Sequence, residues 1–273
     1  VSVRSARYNL LSLRNPKGLT VIPEERDAWA FLDAAKITSS RQQRAVIELV
    51  RGLKHAQLWS KMKAIYPFVG GTATTHKFNL KDPRDNNAAF RLNFSGGWTH
   101  SSNGADPNGT NSYADTYCTP SIDLVLNSTH IMYYSRENSN ATEVEFGSRN
   151  AANTNYLIIE IRTSGVTYGR AYDNAYMTFN DADSIGCYVL NRTSSTALSI
   201  LKNNVSKATT TRTASARPDT SLFLGAFSEG GAAAFYSTKQ CAFATIGDGL
   251  TDTDATNLYN IIQRYQIALG RSV

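Results

Sequence analysis

The chain has 273 residues, 41% of them hydrophobic and 18% charged, with a formal net charge of +6. The apolar content is enough for a real core, while the low charged fraction leaves Ser, Thr and Asn to cover the surface. The positive charge is mild and scattered, without the basic face and stacking aromatics of a nucleic-acid binder, and no apolar run approaches membrane-spanning length, so neither nucleic acid nor membrane insertion is expected.

Residues 1–24 hold no sustained period. They carry Arg4, Arg7, Arg14 and Lys17 with no acid before Glu24, together with Tyr8, Leu10, Leu11 and Leu13. A purely solvated tail would rarely display those apolar groups, so the segment is expected to be an extended basic arm used in assembly, through Arg4, Arg7, Tyr8, Leu11 and Arg14. The first residue is Val rather than Met, as in a chain that is processed or lacks its start.

Residues 25–63 form a helical segment. Pro23 with Glu24 and Glu25 marks a helix start, because acids are favourable in a first turn, and Trp29, Phe31, Leu32 and Ala35 follow. Ser39 and Gln42 have capping-box spacing, and Val46, Leu49, Val50 and Leu53 then line one face. Two short helices cannot bury their faces alone and should pack on the rest of the chain or on a neighbour.

From Ala64 to the end the pattern changes to strands. Phe78 and Leu80, then Phe90, Leu92 and Phe94, alternate with polar residues, as a half-buried sheet demands. Further strands are expected at Ile122 to Leu126, His130 to Arg136, Val144 to Phe146, Leu157 to Ile161, Val166 to Tyr172, Ile185 to Arg192, Leu198 to Asn203, Ser221 to Phe227 and Gln240 to Ile246. About a dozen strands fit a large two-sheet sandwich. A closing helix over residues 252–269 is capped by Thr251 or Asp252, carries Ala255, Leu258, Ile262, Tyr265 and Leu269 on one stripe, and meets Gly270 at its end.

The cysteines, Cys118, Cys187 and Cys241, are odd in number and far apart, without zinc-ligand spacing; each is expected to be a buried free thiol. Six Asn-x-Ser/Thr sequons, beginning at Asn93, Asn108, Asn127, Asn140, Asn191 and Asn204, are of the kind a chain this rich in those residues makes by chance.

Three runs carry a family likeness. LWSKMKAIYPFVGGTATTHKFNLKDPRD, SGGWTHSSNGADPNGTNSYADT and CAFATIGDGLTDTDATNLYNIIQRYQIALGR resemble segments that recur in structural proteins of tailed bacteriophages. The likeness spans residues 26–271, leaving the arm outside. It implies a mainly β, concanavalin-like (LamG-like) jelly-roll sandwich, led in by a short helical segment and closed by a C-terminal helix. It also implies a component of the virion, in a tail, fibre or other appendage, whose partners are other virion proteins and further copies of itself. It supplies no catalytic residues.

Enzymes of the concanavalin-like class place two carboxylates on one strand, close enough for a nucleophile and an acid/base to share a concave face. Glu143 and Glu145 share a face, but Gly147 and Ser148 stand where further acids would be, and the pair reads as solvated acids on an exposed strand; Arg162 offers Glu160 a neutral explanation. None of the four histidines, His55 expected on a helix, His76 and His130 expected in strands, and His100, lies near a G-x-S-x-G elbow. No catalytic residue and no cofactor is therefore expected. Calcium is the one ion considered, at Asn180, Asp181 and Asp183 or at Asp248, Asp252 and Asp254, and neither run has EF-hand spacing. An alternative to the structural role is a host-glycan-binding module, with Trp98 as platform and His100, Asn103, Asp106 and Asn108 as polar partners in one loop. Against it, Trp98 would pack beneath the loop and the Asn residues would merely satisfy its turns. A polysaccharide depolymerase is the second alternative.

Overall fold

The computed structural model describes residues 23–273. The arm residues Arg4, Arg7, Tyr8, Leu11 and Arg14 lie outside them. Two sheets form a β-sandwich, and a layer of helices covers the outer face of one sheet. The eight-stranded sheet runs, from one edge, Val205–Thr211, Ala197–Lys202, Gly186–Arg192, Thr129–Ser135, Cys241–Gly247, Gly104–Asp106 and Thr99–Ser101, with Met62–Tyr66 also on Cys241–Gly247. The nine-stranded sheet runs Met177–Asn180, Val166–Ala171, Tyr156–Thr163, Phe146–Arg149, Phe223–Leu224, Tyr113–Asp115 and Asn93–Ser95, with Phe227–Glu229 and Ala232–Ala234 alongside. Pairing is antiparallel except between Phe227–Glu229 and Phe146–Arg149.

The layers explain a sequence feature. Thr129–Ser135 is buried at every residue, because Ile131 and Tyr133 face the other sheet while Met132 and Tyr134 face the helices. A strand covered on both sides reads as a continuous apolar run, as this one does.

The first helix, Arg26–Ala34, buries Ala28, Phe31 and Leu32. The second, Ser40–His55, starts where Ser39 accepts a hydrogen bond from the Gln42 amide, and buries Ala45, Val46, Leu49, Val50 and Leu53. Both share a core with the C-terminal helix, Asp252–Leu269, and with the sheet residues Ile65, Met132, Val189 and Phe243. The helical segment is therefore sealed onto the sandwich. At its boundary, Met62 and Lys63 already belong to a strand. At the other end Thr251 and Asp254 make a reciprocal capping box, and Gly270 takes the left-handed conformation, φ 72°, that ends the helix.

Three expected features differ. Ile122 to Leu126 is not a strand: Pro120–Asp123 is a single helical turn, fixed by Pro120 and by Asp123 accepting from the Thr119 amide, and it leaves Ile122 79% exposed. Phe78 to Leu92 alternates but is largely irregular; it is anchored by single bonds from Leu80 N to Ile65 O and from Leu92 N to Lys77 O, and Phe90 turns left-handed. His76 sits on a short helix, Ala73–His76, rather than in a strand. The three cysteines are free and buried, as expected.

Candidate functional site

The loop proposed for glycan is a crossing between the two sheets. Asn93–Ser95 ends one sheet, Thr99–Ser101 ends the other, and Gly96, Gly97 and Trp98 join them. Gly96 is left-handed and has no room for a side chain against the Asn111 carbonyl. Trp98 fills the gap between the sheet edges. Its Nε1–H donates to Tyr113 O at 3.1 Å, its six-membered ring lies over Gly225, and it contacts Phe94 edge-on at 5.2 Å. It is partly buried against the inter-sheet core.

Asn108 organises the following turn. Its Oδ1 accepts from the amides of Thr110, Asn111 and Ser112 and from the Ser112 hydroxyl, and its Nδ2 donates to Asn111. His100 pairs across the strands with Ala105, and Thr99 with Asp106. Directly opposed residues share a face, so His100 points with Ala105 toward the inter-sheet core and Asp106 points the other way. The five glycan candidates are thus close in sequence but do not converge. Trp98 and His100 stack at 6.2 Å, Asn108 is engaged in its turn, Asn103 is exposed at the hairpin tip, and Asp106 is on the opposite face. Among the described residues the Asp106 carboxylate has no hydrogen-bond partner, and partial burial raises its pKa.

His100 is held by His76. The Gly71 amide donates to His76 Nε2, so the proton of neutral His76 lies on Nδ1 and is shared with His100 Nδ1 at 2.9 Å. Burial, then His100, then Arg271 keep the His76 pKa well below the usual value. This leaves His100 Nε2–H free of partners among the described residues.

The carboxylates considered for glycoside hydrolysis are not on an exposed face. Glu143 and Glu145 are 1% and 0% exposed and converge on Lys239, itself fully buried. Lys239 Nζ pairs with Glu143 and, at 3.0 Å, with Glu145. Glu143 also accepts from the hydroxyls of Ser139 and Thr238 and from the Thr238 amide; Glu145 accepts from Ser237 Oγ and the Ile161 amide. One ammonium serves two carboxylates. Burial therefore pushes Glu145 up to about 7, with Lys239 opposing and Glu143 reinforcing the rise. Burial alone would lower Lys239, but the two carboxylates outweigh it and raise its pKa. Glu160 is partnered by the Tyr176 hydroxyl, not by Arg162, whose guanidinium reaches Asn138 and Asp181 O.

The two acidic runs considered for calcium are occupied by lysines. Lys202 Nζ lies 2.6 Å from Asp181 and 3.1 Å from Asp183, and Asp181 also accepts from the hydroxyls of Tyr188 and Thr167. Asp254 is engaged by its helix cap and by Lys61 at 2.7 Å; Asp248 lies 3.9 Å from Lys63. Among the described residues no group of three His, Cys, Asp or Glu side chains is placed to hold a metal.

Sequence reasoning missed Lys239 and Arg271. Arg271 is 1% exposed and has no carboxylate among the described residues. It donates instead to Gln266 Oε1 and to the carbonyls of Pro67, Phe68, Ser102 and Ala242, tying the chain end to the sheet edge. A basic residue just past a helix end offers no sequence signal for such a role.

No protein-family model and no curated protein matches the chain. Solved structures similar to it include the NanB sialidase from Streptococcus pneumoniae, at 13% identity and a TM-score of 0.44, over 60% of this chain and 27% of that one. Domain 4 of AbnA, an extracellular arabinanase from Geobacillus stearothermophilus, in complex with arabinotriose, is similar at 15% identity and a TM-score of 0.46, over 73% of this chain and 98% of that domain. The CBM40 of the Ruminococcus gnavus IT-sialidase is similar at 15% identity and a TM-score of 0.37, over 50% of this chain and 83% of that domain. All three matches are distant, and the chain spans about a quarter of the sialidase.

Proposed function

We propose that this chain is a non-catalytic structural module of a tailed-phage particle, in its tail, fibre or another appendage, and that its helical side faces its neighbours. The observation that supports the non-catalytic part of this reading is the burial of Glu143 and Glu145 on Lys239. The pair that could do two-carboxylate chemistry is neutralised away from solvent, which suits a structural brace. The likeness of three runs to phage structural proteins supplies the setting. Mass spectrometry of purified particles tests it: peptides of this chain in stoichiometric amount are expected, and their absence overturns the assignment. A reducing-sugar assay on capsular polysaccharide should stay at background.

Glycan binding is a second reading, supported by two groups free of side-chain partners among the described residues at the Thr99–Asp106 hairpin, the exposed Asn103 side chain and the Asp106 carboxylate. A glycan array with the full chain tests it. Binding reduced by Asn103→Ala or Asp106→Asn favours this reading, and an empty array removes it.

A further inference from the structure

A groove of about 1020 Å³ runs between the second helix and the C-terminal helix. Its floor is apolar, with Leu49, Gly52 and Ile261. Gly52 lets the helices approach closely, since a Cβ there would stand 3.3 Å from the Ile261 side chain. Its rim is basic: Arg41, Arg44, Arg51 and His55 come from one helix and Arg264 from the other, against the single acid Glu48. Glu48 pairs with Arg51 at 2.9 Å. Arg41 donates to the Ala268 carbonyl and Arg264 to the Asn260 carbonyl, while Arg44 is exposed. Among the described residues none of these three has a carboxylate partner. An apolar trough flanked by uncompensated guanidiniums is complementary to one kind of occupant. That occupant lays a stripe of apolar side chains on the floor and sets carboxylates against the rim.

We infer that the groove receives an acidic amphipathic helix of another particle protein. The inference rests on the structural reading above only for the partner's origin. The chain's own arm is the wrong occupant by charge, since Arg4, Arg7, Arg14 and Lys17 would meet the arginine rim. The acidic helix binds by burying its stripe against Leu49 and Ile261, and the carboxylates fix its position along the groove.

The test uses the full chain and a fluorescent synthetic helix of about five turns, roughly 18 residues, with a Leu stripe flanked by Glu. A Lys-flanked peptide with the same stripe and a scrambled Glu peptide are the controls. By fluorescence anisotropy the Glu peptide should bind, the controls should not, and binding should weaken with salt. Arg44→Glu with Arg264→Glu should weaken it at least about tenfold and admit the Lys peptide, because the introduced acids repel the first and attract the second. Circular dichroism checks that this surface variant is folded, and Arg84→Glu serves as a distant control. Equal binding of the Glu and Lys peptides, or none by the Glu peptide, overturns the inference. So does binding that appears only after residues 1–22 are deleted, which makes the arm the occupant. A concentration-dependent dimer dispersed by the double reversal also overturns it, since a second copy then fills the groove. Failure of the peptide leaves the particle assignment intact, because that assignment is read from the protein content of particles.

Discussion

At the scale of single residues, Lys239 and its two glutamates are the most consequential group. Removing the ammonium alone leaves two carboxylates buried against each other, so Lys239→Met should cost about 3–5 kcal/mol in chemical denaturation. Adding Glu143→Gln and Glu145→Gln should recover much of that loss, since the uncompensated charges go with it; a triple variant no more stable than the single one would contradict the account. Glu145 also predicts a pH dependence. Its folded pKa, about 7, lies above its ordinary value of 4.5, so the folded chain holds a proton that the unfolded chain has released between those limits. Its contribution is present in full below the lower value and is lost as pH rises through about 7. His130 acts oppositely: burial lowers it to about 4, so the unfolded chain takes up a proton first as pH falls, and stability drops on the acid side. The two partly cancel in the native protein. The melting temperature of the native chain minus that of Glu145→Gln should therefore fall from pH 5 to pH 8, and a difference independent of pH would refute the buried, proton-holding Glu145. None of this was legible in the sequence. Glu143 and Glu145 alternate with Val144 and Phe146 as solvated acids would, and the lysine that takes them inside arrives from a loop far along the chain.

At the scale of elements, legibility followed locality. The C-terminal helix announced itself because its cap, stripe and terminating glycine all lie within it. Ala255, Leu258, Ile262 and Tyr265 are buried as the spacing predicts. Leu258→Ala and Ile262→Ala should each cost about 2–5 kcal/mol by denaturant titration, because each opens a cavity in the layer between helices and sheet. A loss below about half a kcal/mol for both would remove the helix from that layer. Short strands at the sheet edges carried no such signal. Tyr113–Asp115 exists because it pairs with Asn93–Ser95 and Phe223–Leu224, and the latter pairing is decided by residues distant in sequence. Conversely, Phe78, Leu80, Phe90 and Leu92 alternate like a strand but receive only isolated backbone bonds, so their side chains reach the cores without a ladder. The glycan candidates are spread over two faces for a related reason: strand alternation separates His100 from Asp106, and Trp98 packs in the crossing between the sheets.

At the scale of the whole molecule, the helices, the eight-stranded sheet and the nine-stranded sheet make three layers with a main core between each adjacent pair, and a third, small cluster of Val144, Tyr156, Ile158 and Phe227 lies on the outer side of the nine-stranded sheet. The middle sheet is covered on both sides, so among the described residues the surfaces left for partners are the outer helix face, the outer face of the second sheet and the sheet edges. The helix face carries the basic groove, and Glu143 and Glu145 are closed on Lys239. The central proposal is that this chain builds particles instead of cutting polysaccharide. A cryo-electron microscopy map of the intact particle tests it most directly. The account predicts sandwich density in the tail or an appendage, with the helical layer turned toward a neighbouring protein. A particle without this density, together with purified chain that releases reducing ends from capsular polysaccharide and loses that activity in Glu145→Gln, would contradict it.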